Sequence, residues 1–72
     1  MNIEASQLAK ELGVSVSDLL FKADAIIDQT LARDGMDAIR GLSTGTRFVT
    51  GGSIAVITPK LADALRAELA KP

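Results

Sequence analysis

The chain contains no cysteine, histidine, tryptophan or tyrosine. Without cysteine there are no disulfides and no thiolate metal sites, so nothing covalent staples the fold and the redox compartment leaves no mark. Without histidine the commonest general base and metal ligand is missing. Carboxylates alone could hold a cation, and no D-x-D-x-D-G calcium loop is present. The expectation is therefore no metal, no cofactor and no catalytic residue. A basic surplus is also lacking: the net charge is −1 and the isoelectric point about 5.1, a poor start for a nucleic-acid binder. The stretch from Gly41 to Lys60 is broken by Arg47 and is full of Gly, Ser and Thr, so no transmembrane helix fits. No basic segment followed by an apolar run opens the chain, so no signal peptide is expected. The expected location is the cytoplasm, or a particle assembled there.

What the chain has in quantity is aliphatic side chain. Hydrophobic residues make up 47% of its 72 residues, and the mean hydropathy is +0.26. That length allows one domain, residues 1–72, near the lower limit at which a single apolar core holds a fold unaided. So small an interior cannot hide every apolar group, and the surplus points to a protein partner or to self-association. Charge is divided unevenly. Residues 1–39 carry three cations against seven carboxylates, and residues 40–72 carry five cations against two. An acidic first half thus faces a basic second half.

The hydrophobic spacing gives an α+β domain with two N-terminal helices, a β-hairpin and a C-terminal helix. Ala5, Leu8, Ala9 and Leu12 follow the i, i+3, i+4, i+7 pattern of one helical face, and Gly13 stands where a C′ glycine ends a helix. Ser15 and Asp18 have the spacing of a capping box, with Val14 and Leu19 placed as a hydrophobic staple. The second helix then carries a stripe of Val16, Leu20, Ala23, Ile27 and Leu31, with Leu19 and Ile26 beside it and Phe21 and Ala25 round the side. This arc is wider than one core face needs. Gly35 stops the helix after about eighteen residues, roughly 27 Å. Met36 to Arg40 can add one more turn, and Ser43 to Gly45 reads as loop.

Thr46–Thr50 and Ser53–Ile57 are β-rich runs, and Gly51-Gly52 between them can supply the positive φ of a tight turn. That register sets Val49 opposite Ile54 and Arg47 opposite Val56, with Phe48 and Ala55 on the other side. One hairpin face is expected to pack, and the other to be engaged or partly exposed. Thr58-Pro59 starts the last helix, threonine as cap and proline at N1. Leu61, Ala64, Leu65 and Leu69 form its apolar face.

Three apparent motifs lack the partners their chemistry requires. Gly41-Leu-Ser-Thr-Gly45 matches GxSxG, but a nucleophile elbow needs a preceding strand, a following helix and a histidine. No lysine follows the glycines of GLSTGTRFVTGGS as a Walker loop demands. Base stacking needs several aromatics on a basic sheet; Phe48 beside Arg47 is one, and core packing is its simpler expectation.

ASQLAKELGVSVSDLLFKADAI, residues 5–26, resembles the helix-turn-helix start of small winged regulators of the excisionase and MerR type, and also the N-terminal module of bacterial translation initiation factor 2, whose last element SIAVITPKLADALRAEL echoes. The winged-helix resemblance implies DNA binding, with helix two in the major groove and the hairpin as wing. Lys22, Arg40, Arg47 and Lys60 would be its nucleic-acid contacts. Against it, the exposed polar positions of helix two include Asp18, Asp24 and Asp28, which a phosphate-lined groove disfavours. GTRFVTGGSIAVITPKLADALRAEL, residues 45–69, is similar to small phage head–tail and capsid accessory proteins, and implies subunit docking instead. The reading that best joins these features is a non-catalytic assembly module. Its expected interface is Phe21, Ala25, Ile26, Phe48, Val49, Ile54 and Val56, with DNA binding as the alternative.

Overall fold

A computed structural model describes residues 2–70. The architecture is the expected α+β arrangement, with one strand added. Strand β1 (Ile3–Glu4) leads straight into α1 (Ala5–Leu12), followed by α2 (Val16–Asp34), a 3₁₀ turn (Met36–Ile39), strands β2 (Thr44–Val49) and β3 (Gly52–Ile57), and α3 (Pro59–Leu69). The sheet is antiparallel in the order β1-β3-β2. The central strand is β3, and β2 forms an outer edge.

Local chemistry explains most helix boundaries. Gly13 ends α1 at φ 71°, in the left-handed region that glycine enters without Cβ strain. The Asp18 N–H donates to Ser15 Oγ at 3.1 Å, capping α2. The return bond of a capping box, from the Ser15 N–H to the Asp18 carboxylate, is not formed among the described residues. Thr58 holds the N-cap position of α3 without a side-chain cap bond. Its hydroxyl instead accepts from the Ser43 N–H at 3.1 Å, while the Thr58 N–H donates to Ser43 O at 3.2 Å. Threonine here ties the hairpin's base to the loop rather than capping the helix.

Ten apolar residues form the buried set, and the largest fully enclosed side chains are Leu8, Leu19, Ile57, Leu61 and Leu65. Four alanines, Ala5, Ala9, Ala23 and Ala62, are buried with them. These small side chains let α1, α2 and α3 approach closely around one seam.

On α2 the buried line runs through Leu19 and Ala23, with Leu20, Ile26 and Ile27 packed beside it. The expected stripe ended on Val16 and Leu31, yet each is 38% exposed. Length accounts for the difference. At about 1.5 Å per residue α2 is about 28 Å long, against about 12 Å for α1 and 16 Å for α3. Helix α2 is longer than either neighbour, and Val16 in its first turn and Leu31 in its last are only partly covered.

The hairpin also departs from expectation. The turn residues are Thr50 and Gly51, and the positive φ falls on Gly51 at 91°, the second central position, as a type II turn requires. Gly52 belongs to β3, and Thr44 and Gly45 to β2 rather than to loop. Val49 therefore pairs with Gly52, and Arg47 with Ile54, not with Ile54 and Val56. The slip is by two residues, so side-chain faces are unchanged while every cross-strand partner differs.

Candidate protein-binding surface

Both aromatics of the chain lie outside the core. Phe21 is 78% and Phe48 85% exposed, so the expectation of Phe48 as a core residue is overturned. No helix covers the outer half of the hairpin, where β2 is exposed along its whole length. Phe48 registers with Ser53, and so shares the sheet face of Ala55 and Ile57. That face packs on the helices at Ile57 and runs out into solvent at Phe48. Beside it a groove of about 260 Å³ is lined by Ala5, Ser6, Val16, Ser53, Ile54 and Ala55. Exposed Val16 thus has a place: the start of α2 forms one wall.

Phe21 sits elsewhere, on the outward face of α2. Helical spacing places Asp18 three residues before it and Asp24, Ala25 and Asp28 three, four and seven after it. Asp18, Asp24 and Asp28 form no ion pair among the described residues. Phe21 is therefore a large apolar group in an acidic collar.

Two members of the expected interface are corrected. Val56 is only 7% exposed, because β3 is the central strand and is flanked by both neighbours. Ile26 is partly buried against the core, on the side of α2 that meets it. Ala25 is half-buried, Ile54 half-buried along the groove, and Val49 is 41% exposed at the hairpin tip. The expected interface divides into an α2 part around Phe21 and a hairpin part whose residues lie on both sheet faces, Phe48 on one and Val49, Ile54 and Val56 on the other.

The cations expected to meet phosphate are mostly engaged already. Arg47 Nη2 donates to Glu4 Oε1 at 2.5 Å across the sheet. Lys22 pairs with Glu68 at 3.8 Å and Arg40 with Asp37 at 3.8 Å. Lys60 forms no ion pair among the described residues, and its stem lies over Gly41. Lys60 thus lies near the chain neighbour of Arg40, while Lys22 on α2 and Arg47 on β2 are each tied to a carboxylate of another element. Part of the opposite charge of the chain's two halves is spent inside the molecule, since Glu4–Arg47 and Glu11–Arg66 span 43 and 55 residues of sequence. Sequence reasoning missed both pairs, for which only the sign difference between the halves gave a signal.

Arg66 grips Glu11 through two bonds, Nε to Oε2 at 2.7 Å and Nη2 to Oε1 at 3.3 Å, and reaches Asp63 with Nη1. These hydrogen bonds hold the Glu11 carboxyl below its ordinary value, against a smaller opposing effect of desolvation and aided by the guanidinium's charge. A depressed carboxylate contributes stability that is present above its unfolded pKa and lost as pH falls through the folded one. Wild type should accordingly exceed Glu11→Gln in urea midpoint near neutral pH, and the gap should close as acidification protonates Glu11 in the folded state. A gap that persists in acid would show that packing, not charge, is responsible.

The GxSxG match does not have the surroundings of a nucleophile elbow. Ser43 of the GxSxG match precedes a strand, and its backbone is engaged by Thr58. A larger cleft of about 460 Å³ is lined in part by Glu4, Arg47, Asp63 and Arg66, whose charges are matched to one another or to Glu11. No group of three or more acidic side chains that could hold a metal occurs among the described residues, and none of their helices is long and apolar enough to cross a membrane. Comparison with known protein families, curated proteins and solved structures finds no match to this chain.

Proposed function

We propose that this protein is a non-catalytic protein-binding module that uses Phe21 and Phe48 as anchors in a multi-subunit assembly. The observation that carries this reading is that a chain with two aromatics leaves both in solvent. Burying either side chain would release on the order of 2–3 kcal/mol, and the fold forgoes it. Exposed aromatics of this kind supply most of the energy at protein interfaces when they enter a partner's pocket. The acidic collar of Phe21 selects a partner with basic groups around an apolar pocket. The partner we propose is a structural subunit, in the cytoplasm or in a particle built there, the kind of partner that the sequence resemblance of residues 45–69 implies.

The test is affinity capture from the source cells with wild type and a Phe21→Ser/Phe48→Ser double variant as baits. A protein retained by wild type and lost, by at least about thirtyfold, with the double variant is the expected result, since paired hot spots contribute 2 kcal/mol or more. Equal retention by the two baits overturns the reading.

A second reading, a winged helix-turn-helix regulator, is favoured by one observation. α1, a tight turn and α2 precede an antiparallel hairpin that projects beyond the helices, the part order of that family. Three unpaired carboxylates on α2 and the engaged cations weigh against it. Fluorescence anisotropy with random duplex at low salt decides: no binding by tens of micromolar, where non-specific contact ordinarily registers, excludes it.

A further inference from the structure

We infer that the outer edge of β2 pairs with β2 of a second copy, two-fold and antiparallel about Thr46, joining two three-stranded sheets into one of six strands. This rests on the protein-binding reading and names a partner for its hairpin surface.

A two-residue turn makes Val49 and Gly52 a hydrogen-bonded pair. At the other end the Thr58 N–H donates to Ser43 O. Along β2 the odd-numbered residues Gly45, Arg47 and Val49 therefore direct their N–H and C=O groups to β3, in phase with Ser43 just before the strand. Thr44, Thr46 and Phe48 direct theirs to the open edge, where the sheet order places no neighbour. Protein edges of this kind are usually blunted by proline, bulges, inward charges or shortness. Six residues, TGTRFV, carry none of these devices, and their single charge, Arg47, is neutralised by Glu4 of the same chain.

Register follows from the same parity. Setting Thr46 opposite itself brings Thr44 opposite Phe48 twice, and all three outward residues of each strand find partners. Moving the centre by one residue either way leaves Thr44 or Phe48 without one. Side chains agree with that register. Thr46 meets Thr46, a favourable cross-strand pair; bulky Phe48 lies beside Thr44, and Arg47 faces Gly45, which has no side chain in its way. Charge selects this edge over the other exposed aromatic face. Asp18, Asp24 and Asp28 around Phe21 repel a second copy of themselves, whereas β2 offers its twin no net charge. A strand about 20 Å long lies at the small end of specific interfaces, so the dimer is weak and concentration-dependent.

The test is sedimentation of the full chain over micromolar to millimolar concentrations, with amide exchange read by NMR. Expected are a reversible dimer and amides of Thr44, Thr46 and Phe48 that become protected as it forms. Thr46→Pro removes an N–H that bonds nothing within the chain, and should leave a folded monomer. Thr46→Lys and Thr46→Glu place like charges at the two-fold and should each be monomeric alone, while an equimolar mixture dimerises again. That rescue also guards against a folding defect in the proline variant. Wild type that stays monomeric throughout, or a dimer indifferent to all three substitutions, overturns the inference. Capture of a Phe-dependent heterologous partner by such a monomer would leave the broader binding reading standing.

Discussion

Leu65→Ala should lower the melting temperature by at least about 10 °C, with a parallel fall in urea midpoint. Leu65 is fully enclosed on α3, in the cluster with Leu8, Leu19, Ile57 and Leu61. Truncating a buried leucine costs about 2–5 kcal/mol, partly as lost transfer energy and partly as the cavity left behind. At 0.05–0.15 kcal/mol per residue, a domain of this size has about 4–11 kcal/mol in total. One substitution thus removes a large fraction of the stability, and each kcal/mol moves the midpoint of so small a domain by about 4–8 °C. Leu69→Ala, half-buried in the last turn of the same helix, is the control and should shift it much less. Circular dichroism melts of the three proteins check both statements.

Ala23→Leu should destabilise by about 1–3 kcal/mol or more, although leucine is as good a helix former as the site could want. Ala23 has no exposed surface, and α2 packs there on α1 and α3 through neighbouring buried alanines. Three added carbons have no void to enter, so the helices must separate. Ala32→Leu, exposed near the end of the same helix, should change stability by no more than about 0.5 kcal/mol. Denaturant titration of the pair separates a packing effect from a propensity effect. Were both variants equally stable, the close helix seam would be wrong.

Helix boundaries were legible because they depend on neighbours in sequence: Gly13, Ser15, Gly35 and Pro59 act within a turn of where they stand. Strand β1 was not. Ile3 and Glu4 become a strand only because Ile57 and Val56 lie beside them, more than fifty residues away. The hairpin faces were readable from the two-residue period, but Thr50-Gly51 and Gly51-Gly52 both suit a tight turn, and the tie of Thr58 to Ser43 accompanies the register adopted. The apolar excess was visible as composition, whereas its location was not. Which residues of α2 stay wet depends on the lengths of α1 and α3, and Phe48 is left out because the hairpin outruns the helices. Likewise, the unequal charge of the two halves suggested docking between molecules, and Arg47 and Arg66 close that circuit within one.

Phe21 and Phe48 are free for a partner rather than part of the fold. A urea titration of Phe21→Ser/Phe48→Ser beside wild type, on the same preparations used as capture baits, tests this directly. The two unfolding midpoints should coincide to within the roughly 0.5 kcal/mol typical of surface changes, while capture is lost. A double variant several kcal/mol less stable than wild type would place the rings in the core and contradict the account.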